Sequence, residues 1–340
     1  MQTGLCYDDI LIVPQYSEIS SRHKINIKSF VGDHLTLDTP IIAAPMDTVC
    51  EADMAIAMHK QGAFGILHRY NTMEEQLEMY LEVQKAAAHC GAAIGTGEEC
   101  LDRAAAIVGA GCDIICIDVA HGHHIKVKKT IAELRKMFKD NIHIMTGNVA
   151  TPKAFEALSE WGADSVRVGV GGGAVCSTRI VTGHGMPNFS AVMACSHSGG
   201  KAAIIADGGI KNSGDMVKAF AAGADAVMVG SLIAGTHEAP GEWIEDKDGH
   251  RCKKVRGMAS AEAQSHWRGW VSVAEGVSGQ VPDKGPLELT IKQLRDGIKS
   301  GLSYSGCSDL SIFPSRAEFV MQTSLGMGES VPHLKGKDLG

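Results

Sequence analysis

The stretch GADSVRVGVGGGAVCSTR, residues 162–179, carries both the fold signal and the strongest chemical signal of this chain. It opens on Gly162-Ala163-Asp164, directly after the helical pattern TPKAFEALSEWG, where a glycine supplies the left-handed cap of a helix end. SVRVG (165–169) then reads as a buried strand, apolar rather than alternating. Gly171, Gly172 and Gly173 come next, a run too costly in backbone entropy for a helix or strand. Behind it stand a thiol, Cys176, two hydroxyls, Ser177 and Thr178, and a cation, Arg179.

The same unit recurs along the chain. PIIAAPM (40–46), FGILH (64–68), GAAIG (91–95), DIICID (113–118), HIMTG (143–147), SVRVG (165–169), AIIAD (203–207) and AVMVG (226–230) are all short apolar runs. Helical patterns such as EADMAIAMHKQG and SGDMVKAFAAG separate them, and Gly111-Cys112-Asp113 and Gly223-Ala224-Asp225 repeat the helix-to-strand junction. Eight strands alternating with helices predict an α/β fold, a (β/α)8 TIM barrel. An open doubly wound sheet is the alternative. The barrel is preferred because Asp47, His68, Thr96, Asp118, Asn148, the Gly171 loop, Asp207 and Ser231 come after the strands, where barrel sites are assembled.

The remainder, 236–340, breaks the period. HEAPGEWIEDKDGHRCKKVRG reads as a charged hairpin around Asp248-Gly249, WRGWVSVAEGVSGQVPDKGP shows no period, and ELTIKQLRDGIKSGLSYSG reads as a helix. The tail MGESVPHLKGKDLG is expected to be mobile unless a neighbouring chain holds it. The expected organisation is one barrel domain over 1–340, with a flap at about 250–285, a tail at about 320–340 and no inserted regulatory domain.

A net charge of −7 argues against a nucleic-acid binder. No run of 18 apolar residues suggests a membrane span, and MQTGLCYDDILIVPQ has no secretory pattern. Ten scattered cysteines without a C-x-x-C pair speak against zinc and for a reducing compartment, so a cytoplasmic location is expected. The histidines of AHGHH (120–124) lack an acidic partner at ligand spacing.

ADGGI (206–210) and VGS (229–231) come after the seventh and eighth strands, the loops that often make a phosphate site in barrels. Gly208, Gly209, Gly230 and Ser231 allow close backbone approach to an anion, and Asp207 is placed to hold a ribose diol. Cys176 comes after the sixth strand, so its sulfur is expected at the catalytic mouth, where nearby amides and cations favour the thiolate. Glycine carbonyls of the same loop can hold a monovalent cation.

GVGGGAVCSTR (169–179) resembles the nucleophile loop of the IMP dehydrogenase and GMP reductase family, G-x-G-P-G-S-x-C-[TS]-T-R. YDDILIVPQYS (7–17), APMDTVCEADMAIAM (44–58), IDVAHGH (117–123), GNVAT (147–151), ADGGI, VGSLIAGTHEAPGE (229–242) and RGM (256–258) are similar in the same order. The resemblance implies a (β/α)8 barrel, a homotetramer, a purine nucleotide substrate and a nicotinamide cofactor. It implies that Cys176 is the covalent nucleophile, that Thr178 and Glu275 move protons, and that Asp207 holds the ribose. It places the phosphate on Gly208, Gly209, Gly230 and Ser231, the purine beside Gly257 and Met258, and the nicotinamide near Asp118 and Gly169. Thr96 and Arg69 complete the expected cofactor side. Carbonyls of Gly171, Gly173 and Cys176 match a potassium site that Glu329 would complete from a neighbouring subunit.

Only 16 residues, ASAEAQSHWRGWVSVA, separate Met258 from Glu275, and Arg268 is followed by Gly269 and Trp270 rather than tyrosine. A short flap without a water-activating Arg-Tyr pair resembles the reductases. The expected reaction is therefore NADPH-dependent reduction of GMP to IMP and ammonia. NAD-dependent oxidation of IMP to XMP is the alternative, supported by Pro45 and by FVMQTSLGMGESVPH. Ala174 and Val255 stand where the family pattern has a serine and a tyrosine that hold phosphate, and Gly172 replaces the loop proline, which is expected to loosen the loop. These departures raise a reductase of an unusual purine nucleotide, such as a deoxynucleotide, or a purine sensor without turnover, as further alternatives.

Overall fold

The computed structural model describes residues 3–332. Eight parallel strands close into a barrel: β1 (Ile41–Ala43), β2 (Phe64–Leu67), β3 (Gly91–Ile94), β4 (Ile114–Asp118), β5 (His143–Val149), β6 (Ser165–Val168), β7 (Ala203–Asp207) and β8 (Ala226–Val229). Each pairs with its sequence neighbour, and β8 closes on β1 with Val227 opposite Ile41 and Val229 opposite Ala43. All eight runs read from the sequence are therefore barrel strands, and the doubly wound alternative is excluded.

The strands are apolar on both faces because both faces are covered. Ile42, Phe64, Ile66, Ile114, Cys116, Met145, Ile205 and Met228 fill the barrel interior. The hairpin of Ser29–Phe30 and Thr36–Leu37 adds Val31, Leu35 and Leu37 to that interior. The outer layer is built from helices α1 (Ala52–Lys60), α2 (Met73–Lys85), α3 (Glu98–Gly109), α4 (Ile125–Phe138), α5 (Pro152–Glu160), α6 (Asn188–Ser196), α7 (Ser213–Ala221) and α8 (Leu287–Tyr304). Local chemistry starts them: Thr72 and Glu75 form a capping box on α2, and Asn212 caps α7. His124 of the AHGHH run accepts from the Lys126 amide and so caps α4. In the Gly-x-Asp junctions, Asp164 accepts from the Ile144 amide at 2.6 Å and Asp225 from the Ile204 amide at 2.7 Å, tying adjacent strand starts together.

Beyond the barrel, Trp243–Glu245 (β9) and Arg251–Arg256 (β10) form the expected hairpin around Asp248-Gly249. A third strand, Ser278–Pro282 (β11), pairs antiparallel with β10 and was not expected. Its residues are largely exposed, so it carries no hydrophobic signal to read. Between β10 and β11 a short helix, Ala261–Arg268, capped by Ser260, forms the flap. Ile10–Ile12 pairs with Phe319–Met321, bringing the two ends of the described chain together. Part of the expected mobile tail, residues 333–340, lies outside the described residues. Among the described residues, no helix is long and apolar enough to cross a membrane.

Candidate active site

The C-terminal ends of the strands open into two adjoining cavities, of 1060 Å³ and 350 Å³. Cys176, Thr178, Glu275, Asp118, Gly169, Thr96, Arg69, Gly257 and Met258 line the larger one. Gly209, Gly230 and Ser231 line the smaller, and Asp207, Gly208 and Gly173 border both. The structure thus gathers every expected site residue except Glu329, which ends the helix Ser324–Glu329 and lines neither cavity.

Cys176 Sγ lies 3.2 Å from Thr178 Oγ1. The loop is held in place by the flap. Ser177 N donates to Glu275 O at 2.9 Å, Val277 N to Val175 O at 2.9 Å, and Glu275 N to Ala259 O at 3.0 Å. The segment at Gly276 is thereby threaded between the Cys176 loop and residues 257–260, bridging to both Cys176 and Ser260. A Cβ on Gly276 would stand 3.1 Å from the Val175 carbonyl and from the Ser260 amide, which is why glycine comes after the candidate acid–base residue. Arg256 anchors the flap root: it donates to Asp47 Oδ2 and Glu262 Oε1, and its own amide donates to Thr48.

The smaller cavity is a cradle of donors. The backbone N–H groups of Gly172, Gly173, Ala174, Val175, Gly208, Gly209, Gly230 and Ser231 have no acceptor among the described residues. Amides converging on one cavity make an anion site. Ala174 brings no hydroxyl, and Val255 is buried in the core. Lys211 lines this cavity, its ammonium held at 2.5–2.6 Å from both Asp8 oxygens, and Arg179 lines it too.

Beneath the larger cavity runs an ion network that the sequence reading missed. Arg167, in the middle of β6, donates to Asp118 Oδ1 at 2.7 Å and to Asp207 Oδ2 at 3.0 and 3.2 Å. Asn148 donates to the same Asp207 oxygen at 2.8 Å. Arg69 donates to the Asp118 carbonyl at 3.0 and 3.2 Å and pairs with its carboxylate at 3.5 Å, so this arginine is committed to Asp118. Burial pushes the Asp118 carboxyl upward, but the Arg167 and Arg69 guanidiniums outweigh it and hold the acid below its usual range. The signal in the sequence was a cation inside an otherwise apolar strand, SVRVG, because a fully buried charge needs partners.

The flap closes the other side. Trp267 stacks on Tyr70 with ring centroids 5.8 Å apart and planes 18° apart, and both line the larger cavity. Arg268 also lines it, whereas Trp270 is exposed. Of the two flap tryptophans, Trp267 alone borders the cavity and can cover it.

A closed (β/α)8 barrel thus brings a thiol, a hydroxyl and a carboxylate to one cavity, beside a cradle lined by backbone donors. Residues 4–333 match the family model described as IMP dehydrogenase / GMP reductase domain, and the chain belongs to that family of nicotinamide-dependent purine nucleotide oxidoreductases. It is 35% identical to the inosine-5′-monophosphate dehydrogenase of Cryptosporidium parvum, covering 97% of this chain and 95% of that one. It is 31% identical to the GMP reductase of Leishmania major over 476 positions, covering 97% and 96%. A crystal structure of GMP reductase from Trypanosoma brucei in complex with guanosine 5′-monophosphate superposes with TM-score 0.93 at 29% identity, covering 99% of each chain. The Leishmania alignment is longer than this 340-residue chain, so that reductase carries insertions that this chain lacks. Absence of an inserted module therefore does not separate reductase from dehydrogenase.

Proposed function

We propose that the chain is a single-domain GMP reductase that converts GMP to IMP and ammonia through a covalent bond between Cys176 and C2 of the purine. The observation that carries this reading is Cys176 Sγ at 3.2 Å from Thr178 Oγ1, on a loop laced to the Glu275 backbone and facing the larger cavity.

In this reading the phosphate sits on the Gly208, Gly209, Gly230 and Ser231 amides of the smaller cavity and the ribose diol on the free face of Asp207. The Cys176 thiolate adds to C2, which becomes tetrahedral. Thr178 and Glu275 deliver a proton to the 2-amino group, ammonia leaves, and a thioimidate on Cys176 remains. NADPH, bound in the remaining part of the larger cavity beside Gly169, Asp118 and Thr96, supplies hydride to C2 when present. Expulsion of the thiolate then gives IMP. Potassium fits the loop chemically: the Gly171 and Cys176 carbonyls have no donor among the described residues, and Gly173 O accepts only the Cys176 amide. Glu329 of a neighbouring subunit in a homotetramer would complete that site.

The flap supports reduction over hydrolysis. No tyrosine stands after Arg268, and the segment from Met258 to Glu275 is short. The Ala174 and Val255 replacements remove two side-chain donors, each worth about 1.5–3 kcal/mol to a charged group. The free amides of the smaller cavity are the available compensation.

The test is nicotinamide absorbance in potassium buffer with two mixtures, GMP with NADPH and IMP with NAD. Absorbance is expected to fall only in the first, with ammonia released in equal amount. A rise only in the second would make the protein a dehydrogenase with a base other than an Arg-Tyr pair. Nucleotide binding without turnover in either would favour the sensor.

A further inference from the structure

The family pattern has proline where this chain has Gly172, so a looser nucleophile loop is the expectation. The structure shows what occupies the space instead. A Cβ on Gly172 would lie 2.6 Å from Asn188 Nδ2 and 2.8 Å from its Cγ and Oδ1. The Asn188 amide therefore stands where a side chain at 172 would be. Asn188 is the first residue of α6 and is only 3% exposed. Its Nδ2 donates to the Asp207 carbonyl at 3.1 Å and to the Gly208 carbonyl at 2.5 Å. Its Oδ1 is buried and has no partner among the described residues.

The surroundings make this amide a hub. A Cβ on Gly169, Gly208 or Gly209 would fall 3.2, 3.2 or 3.3 Å from Asn188 Nδ2. Gly208 also lies against the nucleophile loop, where a Cβ would stand 3.1 Å from Gly173 N. The glycine-bearing turns after β6 and β7 thus close around one asparagine. The loop N–H groups of Gly172 and Gly173 are without acceptors on one side, and an amide oxygen is without a donor on the other.

We infer that Asn188 is a positioning residue that latches the Cys176 loop to the Asp207–Gly208 turn, and that the lack of a side chain at Gly172 admits it. Nδ2 fixes the asparagine to the turn that carries the sugar and phosphate ligands. Oδ1 is the acceptor for a Gly172 or Gly173 N–H as the loop carries the sulfur toward C2. The pair keeps the loop registered against the bound nucleotide without a proline. The inference rests on Cys176 being the nucleophile, but not on the direction of the reaction.

A double-mutant cycle over Gly172→Ala and Asn188→Ala tests it, read by turnover and by the rate of Cys176 alkylation with iodoacetamide in substrate-free protein. Gly172→Ala pushes the amide off its carbonyls, and Asn188→Ala removes it, so each is expected to lower kcat about ten- to hundredfold with little change in nucleotide KM. The double variant is expected to match Asn188→Ala alone, since the shortened residue leaves room for the new methyl. Each single variant is expected to change the alkylation rate in the same non-additive pattern. Asn188→Asp places a carboxylate against two carbonyls, so its kcat is expected to recover as pH falls and that acid gains a donor proton. Effects that multiply in the double variant, unchanged kcat and alkylation in Asn188→Ala, or a flat pH profile in Asn188→Asp would each overturn the latch. If the parent turns over neither mixture, the functional reading fails, while the alkylation cycle still decides the latch.

Discussion

The two walls of the site are built on opposite principles. The barrel wall is a buried ion network, with Arg167 clamped between Asp118 and Asp207 and all three charges largely hidden from water. The flap wall is a half-exposed strand and helix, with Val273 and Val277 open to solvent and only Trp267 stacked down onto the barrel at Tyr70. The barrel wall cannot move without stranding a charge, so it sets what fits. The flap is held by backbone hydrogen bonds to a glycine loop, so it can vary in length and content. In the proposed mechanism that division has a chemical meaning: the barrel positions sugar, phosphate and cofactor, and the flap decides how the thioimidate is resolved.

The loop carrying Cys176, the proposed nucleophile, joins the two walls, so breaking it has the largest expected effect. Cys176→Ala is expected to lower turnover by about 10⁴-fold or more while leaving GMP binding measurable by calorimetry. The barrel wall comes next. Arg167→Met leaves Asp118 and Asp207 buried without their shared cation, and is expected to cost about 3–5 kcal/mol in chemical denaturation. A loss under about 1 kcal/mol would show that the network does not make this wall rigid.

The barrel's far end gives a pH prediction that the flap does not share. His143 is buried at the start of β5, with Nε2 2.7 Å from Ser165 Oγ and Nδ1 unpartnered among the described residues. Burial pulls its pKa down to about 4. The folded state thus binds fewer protons than the unfolded state between pH 6.5 and about 4, and stability is lost as pH falls through that window. The full difference is about 3 kcal/mol. Burial of Asp225 acts oppositely: its pKa rises to about 6, so its contribution to stability is lost as pH rises toward that value. The comparison of His143→Gln with the parent isolates the histidine: the variant's denaturation midpoint should be less sensitive to acid. Equal acid sensitivity would refute the assignment. The smallest effect belongs to the flap, where Trp267→Ala is expected to raise nucleotide or cofactor KM by about tenfold or less, with melting unchanged within about a degree.

Much of the molecule is legible in the sequence, for physical reasons that also name the limits. The barrel can be read because a parallel strand covered on both faces must be apolar along its length, as in AIIAD and AVMVG. The cavity residues can be read because strand ends converge in a barrel, so Asp207, Gly230 and Cys176 meet although distant in sequence. Ser278–Pro282 cannot, since an exposed flap strand buries nothing periodic. Arg167 is visible as a letter, but its partners are set by barrel closure. Asn188 gives no local sign, because its meaning lies in the missing side chain of Gly172 on another loop.

The central claim is the covalent bond at Cys176, and acid quenching during turnover tests it most directly. With purine-labelled GMP and NADPH, label is expected on the peptide that contains Cys176, held through the sulfur and absent from the Cys176→Ala protein. Steady turnover with no label on that peptide, or label carried by a different cysteine, would contradict it.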